Sequence, residues 1–252
     1  MIRLRSLLFS VGYSFLAIVT SLFLLAIFWA LPNRARYFIY AGWCKLAVEW
    51  ARITCGVHYE VVGRENIPDY PVVILSNHQS TWETIFLYHL FAPAVPVLKK
   101  ELLKIPLWGW ALSLQKPIAI DRSKPREASR SMVDQGSERL KSGLSIFVFP
   151  EGTRSKPGKV GRFSRGGAQL ATATGTPVLP LLHNAGACWP KGSWVKRPGT
   201  IRLVIGKVIE SEGRTSKQLA AEYDAWVDQH LSHLDLERSE SDHQALHQFD
   251  KE

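Results

Sequence analysis

The chain has 252 residues, 46% hydrophobic and 21% charged, so it is neither disordered nor collagen-like and has the length of one α/β domain with a small appendage. Lys and Arg number 31 against 22 Asp and Glu, a net charge of +9, and residues 99–214 alone hold 21 basic and 8 acidic side chains. Three widely spaced cysteines, Cys44, Cys55 and Cys188, without Cys-x-x-Cys or His/Cys ligand spacing, rule out a disulfide framework, argue against a structural zinc site and suit a reducing compartment.

No charged residue stands between Arg5 and Arg34. About 20 apolar residues in a helix cross a hydrocarbon core of roughly 30 Å, so this run is long enough to span. It is longer than a signal-peptide core and ends on the bulky Phe28-Trp29. It also lacks the polar face of a soluble surface helix. Arg3 and Arg5 on one flank and Arg34 and Arg36 on the other give no clean orientation. A second stretch, Tyr37 through Ala51, mixes aromatics with Lys45 and Glu49, flanked by Arg36 and Arg52, which suits a membrane–water interface. Residues 1–54 therefore read as membrane-associating helices: a spanning helix with an interfacial one, or a hairpin dipping into one leaflet. A basic protein with such an anchor fits membrane lipids as partners and argues against nucleic acid.

After Thr54 short apolar runs alternate with helix-length segments. Strands are expected at Val57–Val62, Val72–Leu75, Val95–Leu98, Ile118–Ile120, Ser145–Phe149, Val178–Leu182 and Ile201–Ile205. Helices are expected at Thr84–Phe91, Leu103–Leu114, Arg126–Lys141, Gly167–Thr174 and Ser216–Leu234. The pattern predicts an α/β domain over residues 55–237, a mostly parallel or mixed sheet flanked by helices. Residues 238–252 are polar and acidic and read as a flexible tail.

Ligands of open α/β sheets bind beyond the carboxyl ends of strands, and two polar blocks stand there. In the first, Ser76-Asn77-His78-Gln79-Ser80-Thr81-Trp82-Glu83, His78 and Glu83 are five residues apart. On one continuous helix they would point about 140° apart. With His78 in the loop and Glu83 in the first helical turn they can meet. The carboxylate then fixes the imidazole tautomer and leaves the other nitrogen as a base for a substrate hydroxyl. The second block, Phe149-Pro150-Glu151-Gly152-Thr153-Arg154-Ser155, reads as an anion cradle. Gly152 permits a tight turn, Arg154 offers a fork for phosphate, and Thr153 and Ser155 add hydroxyl donors. Glu151 would repel phosphate, so it is expected to orient a base or accept from a substrate hydroxyl. Arg122, after the Ile118–Ile120 strand, is placed to face the same anion.

Together these blocks resemble the glycerolipid acyltransferase family. Asn77-His78 with Glu83 matches its first block, where the family has Asp in the acidic place. Gly109-Trp110 leading to Pro117-Ile118-Ala119-Ile120-Asp121-Arg122 matches the second. Phe149–Ser155 matches the third without change, and Thr176-Pro177-Val178-Leu179-Pro180 matches the fourth. The resemblance covers roughly residues 57–210. It implies transfer of a fatty acyl group from acyl-CoA or acyl carrier protein to the 2-hydroxyl of lysophosphatidic acid, giving phosphatidic acid, on the cytoplasmic face of a membrane. His78 is implied as the base and Glu83 as its orienter. Backbone amides near the start of the following helix are implied to hold the oxyanion. Arg122 and Arg154, with Lys99 and Lys100, are implied as phosphate ligands, and Glu151, Gly152 and Thr153 as shaping the acceptor site. No metal or bound cofactor is implied. Another lysolipid acceptor, such as a lyso-ornithine lipid, and a membrane thioesterase are the alternatives. The chain has no Gly-x-Ser-x-Gly elbow, which argues against a serine hydrolase.

Overall fold

The uncharged N-terminal run folds into one helix, α1 (Ile2–Ile27), ending in a 3-10 turn over Phe28–Ala30, in a computed structural model that describes residues 1–239. At 1.5 Å per residue α1 is about 39 Å long. It is the one helix among the described residues that is long and apolar enough to cross a membrane. One stripe, with Ser6, Phe9, Ser21 and Leu24, is buried against the rest of the chain, while Leu4, Leu8, Val11, Phe15 and Leu22 face outward.

Pro32, which has no N–H to give to a preceding helix, separates α1 from α2 (Asn33–Cys55). The two helices meet closely at Gly12, where a Cβ would lie 2.3 Å from Nε1 of Trp50. That indole nitrogen donates to the carbonyl of Phe9 at 3.2 Å. The second N-terminal helix differs from α1. Its Tyr40, Trp43, Cys44, Ala47, Val48, Ala51 and Cys55 are buried in the same core as the sheet and α3, while Phe38, Leu46 and Ile53 are exposed.

The remaining elements follow in order: β1 (Val57–Val62), β2 (Val73–Ser76), α3 (Trp82–Leu90), β3 (Ala94–Lys99), α4 (Trp108–Ser113), β4 (Ile118–Ile120), α5 (Pro125–Lys141), β5 (Ser145–Val148), β6 (Lys159–Val160), α6 (Gly166–Thr174), β7 (Val178–His183), β8 (Gly199–Ile205), α7 (Ser216–His230) and β9 (Glu237–Arg238). Seven strands form one sheet in the order β1-β8-β7-β2-β5-β3-β4. From β7 to β4 all neighbours are parallel; β8 joins β7 antiparallel and β1 joins β8 parallel. The sheet is thus mixed and mostly parallel. All residues of β2 and β7 are buried, as expected of strands covered on both faces. One face packs against α2 and α3, with Trp82, Phe86 and Leu87 at its centre, and α1 lies over α2 and α4. The other packs against α5, α6 and α7 through Ile146, Leu170, Leu219 and Tyr223.

Two expectations are corrected. The helix expected over Leu103–Leu114 is a 3-10 turn, Lys100–Lys104, followed by the short α4. Pro106 divides them, because it lacks an N–H and holds Ile105 extended at φ −65°, ψ 123°. The tail does not begin at residue 238. Arg238 pairs with Val160 in a two-stranded sheet of β6 and β9 and bonds Asp224 and Asp228, each at 2.6 Å. Residues 240–252 of the expected tail lie outside the described residues.

Candidate active site

The two polar blocks meet because β2 and β5 are parallel neighbours, with Leu75 opposite Val148. Both strands release their chains at the same edge of the sheet. The loop carrying His78 therefore lies beside Phe149–Ser155. The imidazole stacks on the Phe149 ring, centroids 4.2 Å apart and planes 16° from parallel. Ser155 fastens the loops, its N–H donating to the His78 carbonyl at 2.8 Å. Strands β3 and β4 end at the same edge and bring Lys99 and Arg122 there.

His78 and Glu83 meet as the loop-to-helix arrangement requires. Nδ1 of His78 lies 2.7 Å from Oε1 of Glu83, which stands in the first turn of α3 with no solvent exposure. The same oxygen accepts the N–H of Gln79 at 2.9 Å and of Ser80 at 2.7 Å. Burial opposes ionisation of Glu83, but the hydrogen bonds it accepts from His78 and Ser80 help hold the carboxyl below its ordinary range. An ionised carboxylate only accepts, so Nδ1 of His78 carries a proton, and in the neutral ring Nε2 is the nitrogen with the free lone pair.

One expectation changes here. The amides of Gln79 and Ser80 are spent on Glu83, and that of His78 donates to Oε1 of Glu151 at 2.6 Å. Glu151 itself lies behind the His78 loop rather than on the cleft wall. Its second oxygen accepts the N–H of Gly161 at 2.9 Å, and burial pushes its carboxyl up to about 7.

A cleft of about 380 Å³ opens beside His78. One side is polar and cationic, with Lys99, Arg122, Gly152, Thr153, Arg154 and Lys191. Gly152, at φ +68°, makes the turn that brings this backbone in. Arg122 donates to the Gly152 carbonyl, Arg154 Nη1 to Thr81 Oγ1 at 3.0 Å, and Lys191 Nζ to the Arg154 carbonyl at 2.8 Å. The other side is apolar and includes Tyr13, Tyr40, Trp43, Cys44, Tyr88 and Leu112, so α1 and α2 supply part of the wall.

The candidate residues thus divide. His78, Lys99, Arg122, Gly152, Thr153 and Arg154 share one cleft, and Glu83 stands directly behind His78. Lys100 is not on the wall; its ammonium is paired with Asp121. Lys191 is an addition that sequence reasoning missed, since it lies in a loop outside every block and only the fold brings it to the turn. His183 is another. It is fully buried at the end of β7, Nδ1 accepts from the Ala185 amide at 3.2 Å, and Nε2 donates to the Asn77 carbonyl at 2.9 Å. Asn77 closes the link through its own amide, 2.8 Å from the His183 carbonyl. Burial holds the His183 pKa below the usual value, and its contacts are those of a neutral brace for the catalytic loop.

The sequence matches the family model described as Acyltransferase over residues 58–184. A 1-acyl-sn-glycerol-3-phosphate acyltransferase of Pseudomonas aeruginosa is 51% identical over 208 residues, covering 81% of each chain. The chloroplastic enzyme of the same description, LPAT1 of Arabidopsis thaliana, is 38% identical over 65% of this chain, which spans only 48% of that longer protein. The crystal structure of the 1-acyl-sn-glycerophosphate (LPA) acyltransferase PlsC from Thermotoga maritima has the same fold, with a TM-score of 0.76, 27% identity, and coverage of 92% of this chain and 97% of the other.

Proposed function

The chain belongs to the acyltransferase family, and from that premise we propose that it transfers a fatty acyl group from a thioester to the 2-hydroxyl of lysophosphatidic acid, giving phosphatidic acid. The observation that carries this reading is the His78–Glu83 pair at the junction of a cationic and an apolar half-cleft. Such a cleft suits an acceptor with one phosphate and a donor with one acyl chain.

Nε2 of His78 takes the proton of the acceptor hydroxyl as its oxygen attacks the thioester carbonyl. Glu83 stabilises the resulting imidazolium and keeps the ring in its tautomer. When the tetrahedral intermediate collapses, the C–S bond breaks and the imidazolium returns its proton to the departing thiolate. Arg122 and Arg154, with Lys99 and Lys191, hold the acceptor's phosphate. Gly152 and Thr153 shape the turn around it, and Glu151 positions the His78 backbone. The apolar wall takes the acyl chain. The donor is acyl-CoA or acyl carrier protein, both acidic and both matched to the basic middle of the chain. The reaction runs on the cytoplasmic face of a membrane that holds α1.

Acceptor competition tests this. Purified enzyme with one acyl thioester is offered lysophosphatidate, lysophosphatidylcholine, a lyso-ornithine lipid and monoacylglycerol. The expected preference is for the free phosphomonoester. Equal use of all four acceptors contradicts the phosphate assignment.

A further inference from the structure

Residues 190–198, between β7 and β8, carry Lys191, Lys196 and Arg197 and no acidic residue. The segment joins the active-site turn to α1. Near its start, Lys191 donates to the Arg154 carbonyl. Near its end, the N–H of Lys196 donates to Oγ of Ser6 on α1 at 2.9 Å. Just before the segment, Trp189 meets Phe9 of α1 edge-on, ring centroids 4.9 Å apart.

The side chain of Lys196 is an unusual support. The residue is only 6% exposed. Its ammonium lies 4.7 Å from the centroid of the Trp189 ring and 5.7 Å from that of Phe9. It donates to the carbonyls of Ser193 at 3.3 Å and Trp194 at 3.0 Å. A cation satisfied by ring faces and two loop carbonyls clamps the loop from its inner side. Held in this way, the loop presents Trp194, 53% exposed, and Arg197 to the outside. The adjoining turns of α1 expose Leu4, Leu7, Leu8 and Val11. An outward indole beside basic side chains and next to an apolar helix is the composition of a membrane–water interface.

We propose that residues 190–198 form a membrane-contacting loop that seats on an anionic lipid surface, with Trp194 at headgroup depth. The contact stands on the loop's own geometry. Its purpose, to hold the cleft mouth at the surface from which a lipid acceptor arrives, rests on the proposed function. The Ser6–Lys196 bond makes α1 and Trp194 meet the lipid together, and the Lys191–Arg154 bond keeps the cleft beside them.

The test compares wild type, Trp194→Phe and Trp29→Phe on vesicles of phosphatidylcholine and phosphatidylglycerol with brominated acyl chains. Emission lost on each substitution isolates that indole, and Trp29, 85% exposed beyond the end of α1, reports engagement of the helix. The Trp194 component is expected to be strongly quenched. Arg197→Gln is expected to weaken binding to phosphatidylglycerol vesicles and to leave binding to phosphatidylcholine vesicles unaltered. A Trp194 component that bromine leaves unquenched, with Trp29 quenched or not, overturns the proposal. The readout needs no turnover. Quenching in a chain that acylates no acceptor would sink the proposed function and support the loop; turnover without quenching would do the reverse.

Discussion

Nδ1 of His78 lies 2.7 Å from Oε1 of Glu83, and two backbone amides, of Gln79 and Ser80, converge on that same carboxylate oxygen. The other oxygen, Oε2, is buried with no hydrogen-bond partner among the described residues. Glu83→Gln keeps an acceptor at the first position but removes the charge and places an amide NH₂ where no acceptor waits. Turnover is expected to fall by about 10²–10⁴-fold, the range that general acid–base catalysis contributes. Glu83→Asp keeps the charge and is expected to recover part of the loss. Steady-state kinetics of both variants, with the melting temperature of each, check this.

Glu151 gives a pH signature. Its folded-state value of about 7 lies above the ordinary 4.5 because the group is buried. The folded protein therefore binds this proton more readily than the unfolded chain. The stability that the group contributes is fully present below pH 4.5 and is lost as pH rises through about 7. Glu151→Gln removes the titration. The melting temperature of wild type relative to Glu151→Gln is expected to decline between about pH 5 and about pH 8, a window that avoids the opposite, acidic-side contribution of Glu83. A constant difference across that range contradicts the assignment.

Arg154 donates to Thr81 Oγ1 at 3.0 Å and lines the cationic side of the cleft. Arg154→Ala is expected to lower kcat/KM for lysophosphatidate by about 10–150-fold, the equivalent of one charge-assisted hydrogen bond of roughly 1.5–3 kcal/mol, chiefly through KM. Kinetics with the acceptor varied and the thioester saturating measure it; unaltered acceptor kinetics remove Arg154 from the phosphate site.

Arg238 ties the end of the described chain to α7. It bonds Asp224 and Asp228, and its guanidinium lies 5.0 Å from the Phe163 ring centroid. Its side chain is 31% exposed, so each ion pair contributes at most about 1 kcal/mol. Arg238→Ala is expected to lower the melting temperature by a few degrees, which thermal denaturation measures; an unchanged melting temperature contradicts this.

Much of this arrangement was legible in the sequence. Continuous apolar runs such as Ile118–Ile120 and Val178–Leu182 are strands because a sheet covered on both faces needs nothing polar along them. His78 and Glu83 were readable as a pair because a loop followed by a helix start solves their five-residue spacing. What escaped depended on contacts between distant segments. The burial of one face of α2 was hidden, because aromatics among charges suit a membrane interface and a protein core equally. Lys191 became visible only when the fold carried its loop to Arg154. The second oxygen of Glu151 depends on Gly161, ten residues on, and the loop between them has no periodicity from which to read that return.

The central claim is that the imidazole of His78 moves an acyl group from a thioester to a lipid alcohol. Labelled acyl thioester, supplied with and without lysophosphatidate to wild type and His78→Ala in vesicles, tests it most directly. The account predicts labelled phosphatidic acid from wild type only when the acceptor is present, and none from His78→Ala, which remains folded and vesicle-bound. Free labelled fatty acid at the same rate with or without acceptor, or phosphatidic acid from His78→Ala at the wild-type rate, would contradict it.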